Sequence, residues 1–199
     1  MDDMKKPMNT AHSELILGGQ KSGKSRRAEL MARAWLAQSP AHEAVLIATA
    51  QPWDEEMRER IARHQADRAL RVPGLRTAPE PLRLAEAMAH HSQPRTLVVV
   101  DCLTMWLTNW LMPAGSTEQN KALAQALPAQ LAMFLIAIEE MPGPVVLVGN
   151  EIGLGVIPLG RDTRAFVDAL GRLNQDVARA CERVTFMAAG LPLPLKGRS

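Results

Sequence analysis

The chain has 199 residues, 47% of them hydrophobic, with 23 Lys plus Arg against 21 Asp plus Glu and a formal net charge of +2. That length suits one globular domain with a substantial core. The near balance of charge, with 4% aromatic residues and no Tyr, argues against a nucleic-acid partner, which needs a basic face and stacking platforms.

The first thirteen residues, Met1 to Ser13, are polar and lack the apolar core of a signal peptide, so they read as a flexible extension over 1–13 before a single catalytic domain over 14–199. No apolar segment is expected to approach the length of a membrane span. Cys102 and Cys181 have neither C-x-x-C spacing nor the density of a disulfide scaffold. They read as buried small hydrophobes in a reducing, cytoplasmic compartment.

Leu15, Ile16 and Leu17 form a short strand pattern that runs into Gly18-Gly19-Gln20-Lys21-Ser22-Gly23-Lys24-Ser25. The eight residues fit G-x-x-x-x-G-K-[ST], and Arg26 to Leu36 continue as a helix with Ala28, Met31 and Trp35 on one stripe. Strand, loop and helix in that order make a P-loop. Its glycines allow backbone N–H groups to surround phosphate oxygens, the helix N-terminus favours negative charge, Lys24 reaches the outer phosphates, and Ser25 can ligate Mg²⁺.

Ala44 to Ala50 is an apolar run of strand length, and its end at Thr49 faces the site. Pro52 and Asp54 open a charged helix to about Ala69, with Met57, Ile61 and His64 at i, i+4 and i+7. A turn at Pro73-Gly74, a short strand from Leu75 to Thr77, and a helix from Pro79 to Ala89 follow. Thr96 to Asp101 is β-branched and continuous, as a strand buried on both faces should be. Its terminal Asp101 is either a carboxylate for Mg²⁺ or an N-cap for the segment Leu103 to Leu111, and the nearby P-loop favours the metal.

A loop over 112–116 leads to a helical stretch from Thr117 to Glu140, which Pro128 either divides or starts. Val145 to Val148 is another buried strand, running into Gly149-Asn150-Glu151. Ligands in open parallel sheets gather at the carboxyl ends of strands, where Thr49, Asp101 and the Asn150-Glu151 pair now stand. After a turned loop at Gly153, Gly155 and Pro158, the segment from Arg161 to about Arg179 is an amphipathic helix with Phe166, Leu170, Leu173 and Val177 on one side. Val184 to Ala189 is a last strand, and Gly190 to Lys196 is expected to leave the domain in extended form.

Over about residues 14–196 the chain resembles the bifunctional adenosylcobinamide kinase/adenosylcobinamide-phosphate guanylyltransferases of cobalamin assembly. The resemblance rests on the P-loop with Arg26 and Glu29, on Ile47 to Gln51, on Asp54 to Met57 with Arg60, Ile61 and His64, and on Asp101 to Thr104 with Thr108-Asn109. It also rests on the more specific Asn150-Glu151-Ile152-Gly153-Leu154-Gly155-Val156-Ile157-Pro158, Gly171-Arg172-Leu173-Asn174-Gln175 and Gly190 to Lys196. The chain departs from the family pattern at Leu75 and Pro79, with Glu80 one place late, and in a longer spacing from His64 to Thr77.

The resemblance implies an α/β P-loop NTPase with a RecA-like, mostly parallel sheet flanked by helices, assembled as a homotrimer. It implies phosphorylation of a corrinoid hydroxyl by ATP or GTP, then transfer of GMP from GTP to that phosphate through a guanylylated histidine, which aligns with His64. Nucleotide contacts would fall on Gly18 to Ser25, on Ile47, Ala48 and Thr49, on Gln65, Ala66, Asp67 and Arg68, on Glu80 and on Asp101. Catalysis would rest on His64, Lys24 and Asp101, and Mg²⁺ on Ser25 and Asp101. Read from spacing alone, His64 is a lone histidine on a charged helix. Two other readings stand beside this one: a single-function small-molecule kinase, and a RecA-like ATPase acting on nucleic acid or protein.

Overall fold

In a computed structural model, residues 11–52, 54–113, 117–155 and 158–197 are described. Most of the expected N-terminal extension, residues 114–116 of the expected 112–116 loop, and Val156 and Ile157 of the family motif lie outside them. One seven-stranded sheet carries the fold, in the order β3-β2-β4-β5-β1-β6-β7. Its strands are β1 (Ser13–Gly18), β2 (Glu43–Ala48), β3 (Leu75–Pro79), β4 (Thr96–Asp101), β5 (Val145–Val148), β6 (Arg183–Ala188) and β7 (Leu191–Lys196). All neighbours pair in parallel except β6 and β7, so the sheet is mostly parallel, as expected. Helices α1 (Lys24–Gln38), α2 (Glu55–Arg71), α3 (Leu84–His91), α4 (Leu103–Leu111), α5 (Thr117–Glu140) and α6 (Arg161–Ala180) flank it.

Central strands buried on both faces need apolar residues at successive positions. Leu97 to Val100 and Val145 to Val148 meet that need, each residue no more than 1% exposed. One face packs Val98, Val100 and Leu147 against Leu84, Trp106, Phe134 and Leu173. The other packs Ile16, Val99 and Val146 against Ala28 and Met31 of α1. Register aligns the carboxyl ends: Ala48 lies beside Asp101, Asp101 beside Val148, and Gly18 beside Met187. The P-loop, Thr49, Asp101 and Asn150 therefore emerge along one edge.

Several expectations change. Ser13, expected in the N-terminal extension, belongs to β1, where it is buried and pairs with Val145. Residues 79–83 are not helical, and α3 starts at Leu84. Pro81 biases Glu80 away from helix, and the Glu80 carboxylate instead accepts the N–H groups of Leu82 and Arg83 at 2.9 and 2.8 Å. Pro128 neither divides nor starts α5, which runs through it, held by Leu127, Phe134 and Ile138 in the core.

The expectation that no apolar segment approaches a membrane span fails as well. Residues 120–140 of α5 are long and apolar enough to cross one, with mean hydropathy 1.5. Here that helix packs beside α3, α4 and α6, with Phe134 against Trp106 of α4 at a ring separation of 5.1 Å.

The C-terminal segment does not leave the domain. Gly190 turns the chain back, and β7 pairs antiparallel with β6 as the sheet edge. Pro192 and Pro194 recur with a period of two, so an edge strand tolerates both missing N–H donors. Lys196 Nζ then donates to the carbonyls of Ala178, Arg179 and Cys181 at 2.9, 2.8 and 2.6 Å, capping the end of α6.

Candidate active site

The P-loop begins where β1 meets the β6–β7 turn. Gly18 has φ 152, and a Cβ there would lie 2.5 Å from the Met187 carbonyl oxygen. Gly23, with φ 100, precedes α1, and a Cβ on it would lie 3.2 Å from Gly190 Cα. Both positions need glycine. The Gly190 N–H donates to the Ser22 carbonyl at 3.0 Å, so the C-terminal turn supports the loop. Lys24 is buried, and its Nζ donates to the Gly19 carbonyl at 2.5 Å. Burial holds its amine below the ordinary lysine value, against the opposing influence of Cys102 and Asp101.

Ser25 in the first turn of α1, Asp101 at the end of β4, and His64 on α2 line one cavity of about 220 Å³. Met57, Ile61, Gln65 and Arg68 complete its α2 wall, with Ala48, Ala50, Cys102 and Met105 opposite. The Asp54 carboxylate accepts the Met57 N–H at 2.7 Å and caps α2. The stripe Met57, Ile61 and His64 thus faces the P-loop rather than the core. His64 itself is exposed at the cavity mouth.

Asp101 stands under opposing electrostatic influences. Desolvation pushes its carboxyl above the ordinary value, while a hydrogen bond from Ser25 and the charges of Arg68 and Lys24 pull it down. A hydroxyl and a carboxylate side by side are hard oxygen donors. They suit Mg²⁺, which keeps several waters and needs few protein ligands.

The other expected nucleotide residues divide. Gln65, Arg68 and Ala48 reach the cavity, but Ile47 is fully buried in the core, and Ala66 and Asp67 point away from it. Thr49 is buried too. Its Oγ1 donates to the Cys102 carbonyl at 2.7 Å and accepts the Cys102 N–H at 2.9 Å, fixing the backbone after Asp101. Asn109, also buried, donates to the carbonyls of Thr49 and Pro81 at 2.7 and 3.0 Å. Glu80 instead accepts the N–H groups of Leu82 and Arg83 in the turn before α3 and does not line the cavity. Gln20 and Lys21 are exposed on the loop tip.

Sequence reasoning missed Cys102, Met105 and Ala50 as cavity walls, and Glu29 as the anchor of α2. Hydrophobic spacing offered no signal for these, because each contact joins separate elements.

Comparison with known proteins completes the description. The family model for cobinamide kinase / cobinamide phosphate guanyltransferase matches residues 14–195. The bifunctional adenosylcobalamin biosynthesis protein CobP of Pseudomonas aeruginosa is 47% identical over 185 residues, covering 92% of this chain and 97% of that protein. The bifunctional adenosylcobalamin biosynthesis protein CobU of Escherichia coli is 33% identical over 194 residues, covering 92% and 98%. Among solved structures, the flagellar accessory protein FlaH of Methanocaldococcus jannaschii superposes with a TM-score of 0.51 at 11% identity, over 95% of this chain and 80% of that one; that similarity concerns the fold alone. A P-loop beside an aspartate-tipped strand, matched along nearly the whole chain, leads to one conclusion: the protein belongs to the cobinamide kinase / cobinamide phosphate guanyltransferase family and is a bifunctional kinase and guanylyltransferase.

Proposed function

We propose that the chain phosphorylates the hydroxyl of an adenosylcobinamide-type corrinoid with ATP or GTP, then transfers GMP from GTP to that phosphate through a guanylylated His64. The observation that carries this reading is the shared cavity of Ser25, Asp101 and His64. One histidine therefore stands within the same chamber as the phosphate-binding machinery.

In the guanylyl transfer, the neutral imidazole of His64 attacks the α-phosphorus of GTP, a phosphorus–nitrogen bond forms, and pyrophosphate leaves. Imidazole needs no prior deprotonation near neutral pH. An oxygen of the corrinoid phosphate then attacks the same phosphorus, and the phosphorus–nitrogen bond breaks to free His64. Lys24 neutralises charge on the outer phosphates, and the P-loop amides hold them. The kinase reaction asks these groups for positioning and charge neutralisation rather than a covalent intermediate.

Ser25 and Asp101 would hold Mg²⁺, which, when bound, offsets the negative charge of the phosphates. Arg68, its side chain 9% exposed and its Nε 3.7 Å from the Glu29 carboxylate, stands on the cavity wall, where its guanidinium can meet phosphate. The reading extends to a homotrimer in the cytoplasm. Both cysteines are free thiols, which fits a reducing compartment.

The test is incubation with GTP labelled at the α-phosphate, followed by intact mass measurement. One GMP should add to the protein without any corrinoid present. Absence of that adduct, with corrinoid phosphorylation intact, would make the single-function kinase the better description.

A further inference from the structure

Gly171 lies inside α6, where glycine costs stability relative to alanine. Its backbone is helical, and a Cβ there would meet nothing within 4 Å. Neither backbone conformation nor packing among the described residues asks for glycine. A bare patch on a helix then points to something outside the chain that approaches it.

Two cavities meet at this patch. One, of about 540 Å³, lies between α6 and the loop after β5, lined by Ile152, Val167, Asp168, Gly171, Arg172 and Gln175 among others. The second, of about 370 Å³, shares Gly171 and Gln175 and continues past Leu17 and Glu151 to Leu195. Together they form a groove far larger than the cavity beside His64. Its walls mix an exposed apolar residue, Ile152, with donors and acceptors. Arg172 and Gln175 donate, Asp168 and Gln175 accept, and the three form no hydrogen bond or ion pair among the described residues.

The groove also adjoins the phosphate site. The loop wall leaves the carboxyl end of β5 with the Glu151 N–H on the Gly18 carbonyl at 3.0 Å. Asn174, behind it, donates to the Asn150 carbonyl at 3.0 Å and to Glu151 at 3.3 Å, fixing that wall against α6.

Resting on the function proposed above, we propose that this groove seats the body of the acceptor: a bulky, partly apolar ring molecule bearing neutral amides. Gly171 supplies the flat floor, and Asp168, Arg172 and Gln175 read the amides. The reactive arm of the acceptor then lies toward Gly18, at the start of the P-loop.

The experiment measures binding of cobinamide, without nucleotide, by equilibrium dialysis to the full-length wild type and to Gly171→Ala, Gly171→Leu and Arg172→Ala. GMP uptake from GTP without acceptor, thermal stability and oligomeric mass are followed in parallel. A methylene out of place in a binding pocket shifts affinity by about tenfold or more, so Gly171→Leu should weaken cobinamide binding by at least that factor. Gly171→Ala should raise the melting temperature yet weaken binding, a combination that a structural glycine does not give. GMP uptake should stay at the wild-type level.

Wild-type cobinamide affinity in a folded Gly171→Leu overturns the proposal. So does a change in oligomeric mass with unaltered affinity, which would assign the groove to a subunit contact. If the wild type binds cobinamide in a Gly171-dependent way yet takes up no GMP, the groove stands and the histidine mechanism fails.

Discussion

The carboxylate of Glu29, in α1, receives the guanidinium of Arg71, in α2, through two hydrogen bonds of 2.8 and 2.9 Å. Arg68 adds a third cationic atom 3.7 Å from the same group. The pairing joins the P-loop helix to the helix that carries His64. Among the described side chains of α2, only Arg68 is buried, so apolar packing contributes little to holding that helix in place. Ion pairs of this kind, once formed at low exposure, are costly to break from one side because the remaining charge is stranded.

Glu29→Ala should therefore destabilise the protein by about 3 kcal/mol, read as a lower midpoint in urea unfolding. It should also depress GMP uptake more than corrinoid phosphorylation, since α2 supplies His64 and the P-loop does not depend on that helix. An unchanged midpoint together with equal losses in both reactions would show that α2 is held by other means.

Asp101 links the metal site to pH. Its carboxyl lies above the ordinary value because it is desolvated, so only between the ordinary and the raised value does the native state hold a proton that the unfolded state has released. As pH rises from the ordinary carboxylate value to the raised native one, the unfolded state binds fewer protons and stability falls; beyond the native value this contribution stays constant. Asp101→Asn should remove that slope and stabilise the ligand-free protein at neutral pH, while both reactions weaken and require more Mg²⁺. A pH-stability profile identical to wild type, with unaltered Mg²⁺ dependence, would return Asp101 to a purely structural position.

Cys102 lines the cavity next to Asp101. Burial and then the neighbouring Asp101 charge push its thiol up to about 11, and burial pushes Cys181 up to about 12. Because only the thiolate reacts, iodoacetamide should modify neither residue appreciably at neutral pH. Cys102 should begin to react as pH climbs toward its raised value. GTP should slow that reaction, since it fills the same chamber. Rapid alkylation of Cys102 at neutral pH would show that the cavity is wetter and more open than its lining indicates.

The parts of this fold that a sequence displays are those written in consecutive residues. Leu15 to Ser25 spells strand, phosphate loop and helix, and Thr96 to Asp101 spells a buried strand with an acidic tip. Periodicity even placed Met57, Ile61 and His64 on one face, but it could not say that the face looks onto Ser25 and Asp101. Relationships that depend on the sheet order stayed hidden. Glu29 and Arg71 are 42 residues apart, and Thr49 locks Cys102 only because β2 and β4 are neighbours. The alternating prolines of β7 read as an extended exit, because a missing N–H is tolerated on an edge and nothing local announces that an edge is there. Glu80 looked like a ligand contact or a helix residue, whereas its carboxylate ties the N–H groups of Leu82 and Arg83 in the turn that leads into α3.

His64 allows the sharpest separation of the two activities. Covalent catalysis needs a nucleophile only in the guanylyl transfer, whereas phosphoryl transfer to a hydroxyl needs positioning and charge neutralisation. His64→Ala should abolish GMP uptake and guanylyl transfer while leaving most corrinoid phosphorylation. The fold should tolerate the change, because the side chain is exposed at the cavity mouth and substitutions at exposed positions cost within about 0.5 kcal/mol. The wild-type adduct should be lost in acid, where the protonated imidazole departs readily, and survive in alkali. A phosphate ester on Ser22 or Ser25 would not show that pattern. If His64→Ala still acquires GMP with the same acid lability, the nucleophile must be sought among His12, His42, His90 and His91. Of these, His42 is stacked on Trp35 at 3.9 Å with its Nδ1 at 2.8 Å from the Trp35 carbonyl, and none lines the cavity shared by Ser25 and Asp101. That placement is why loss of the adduct in His64→Ala is the expected result.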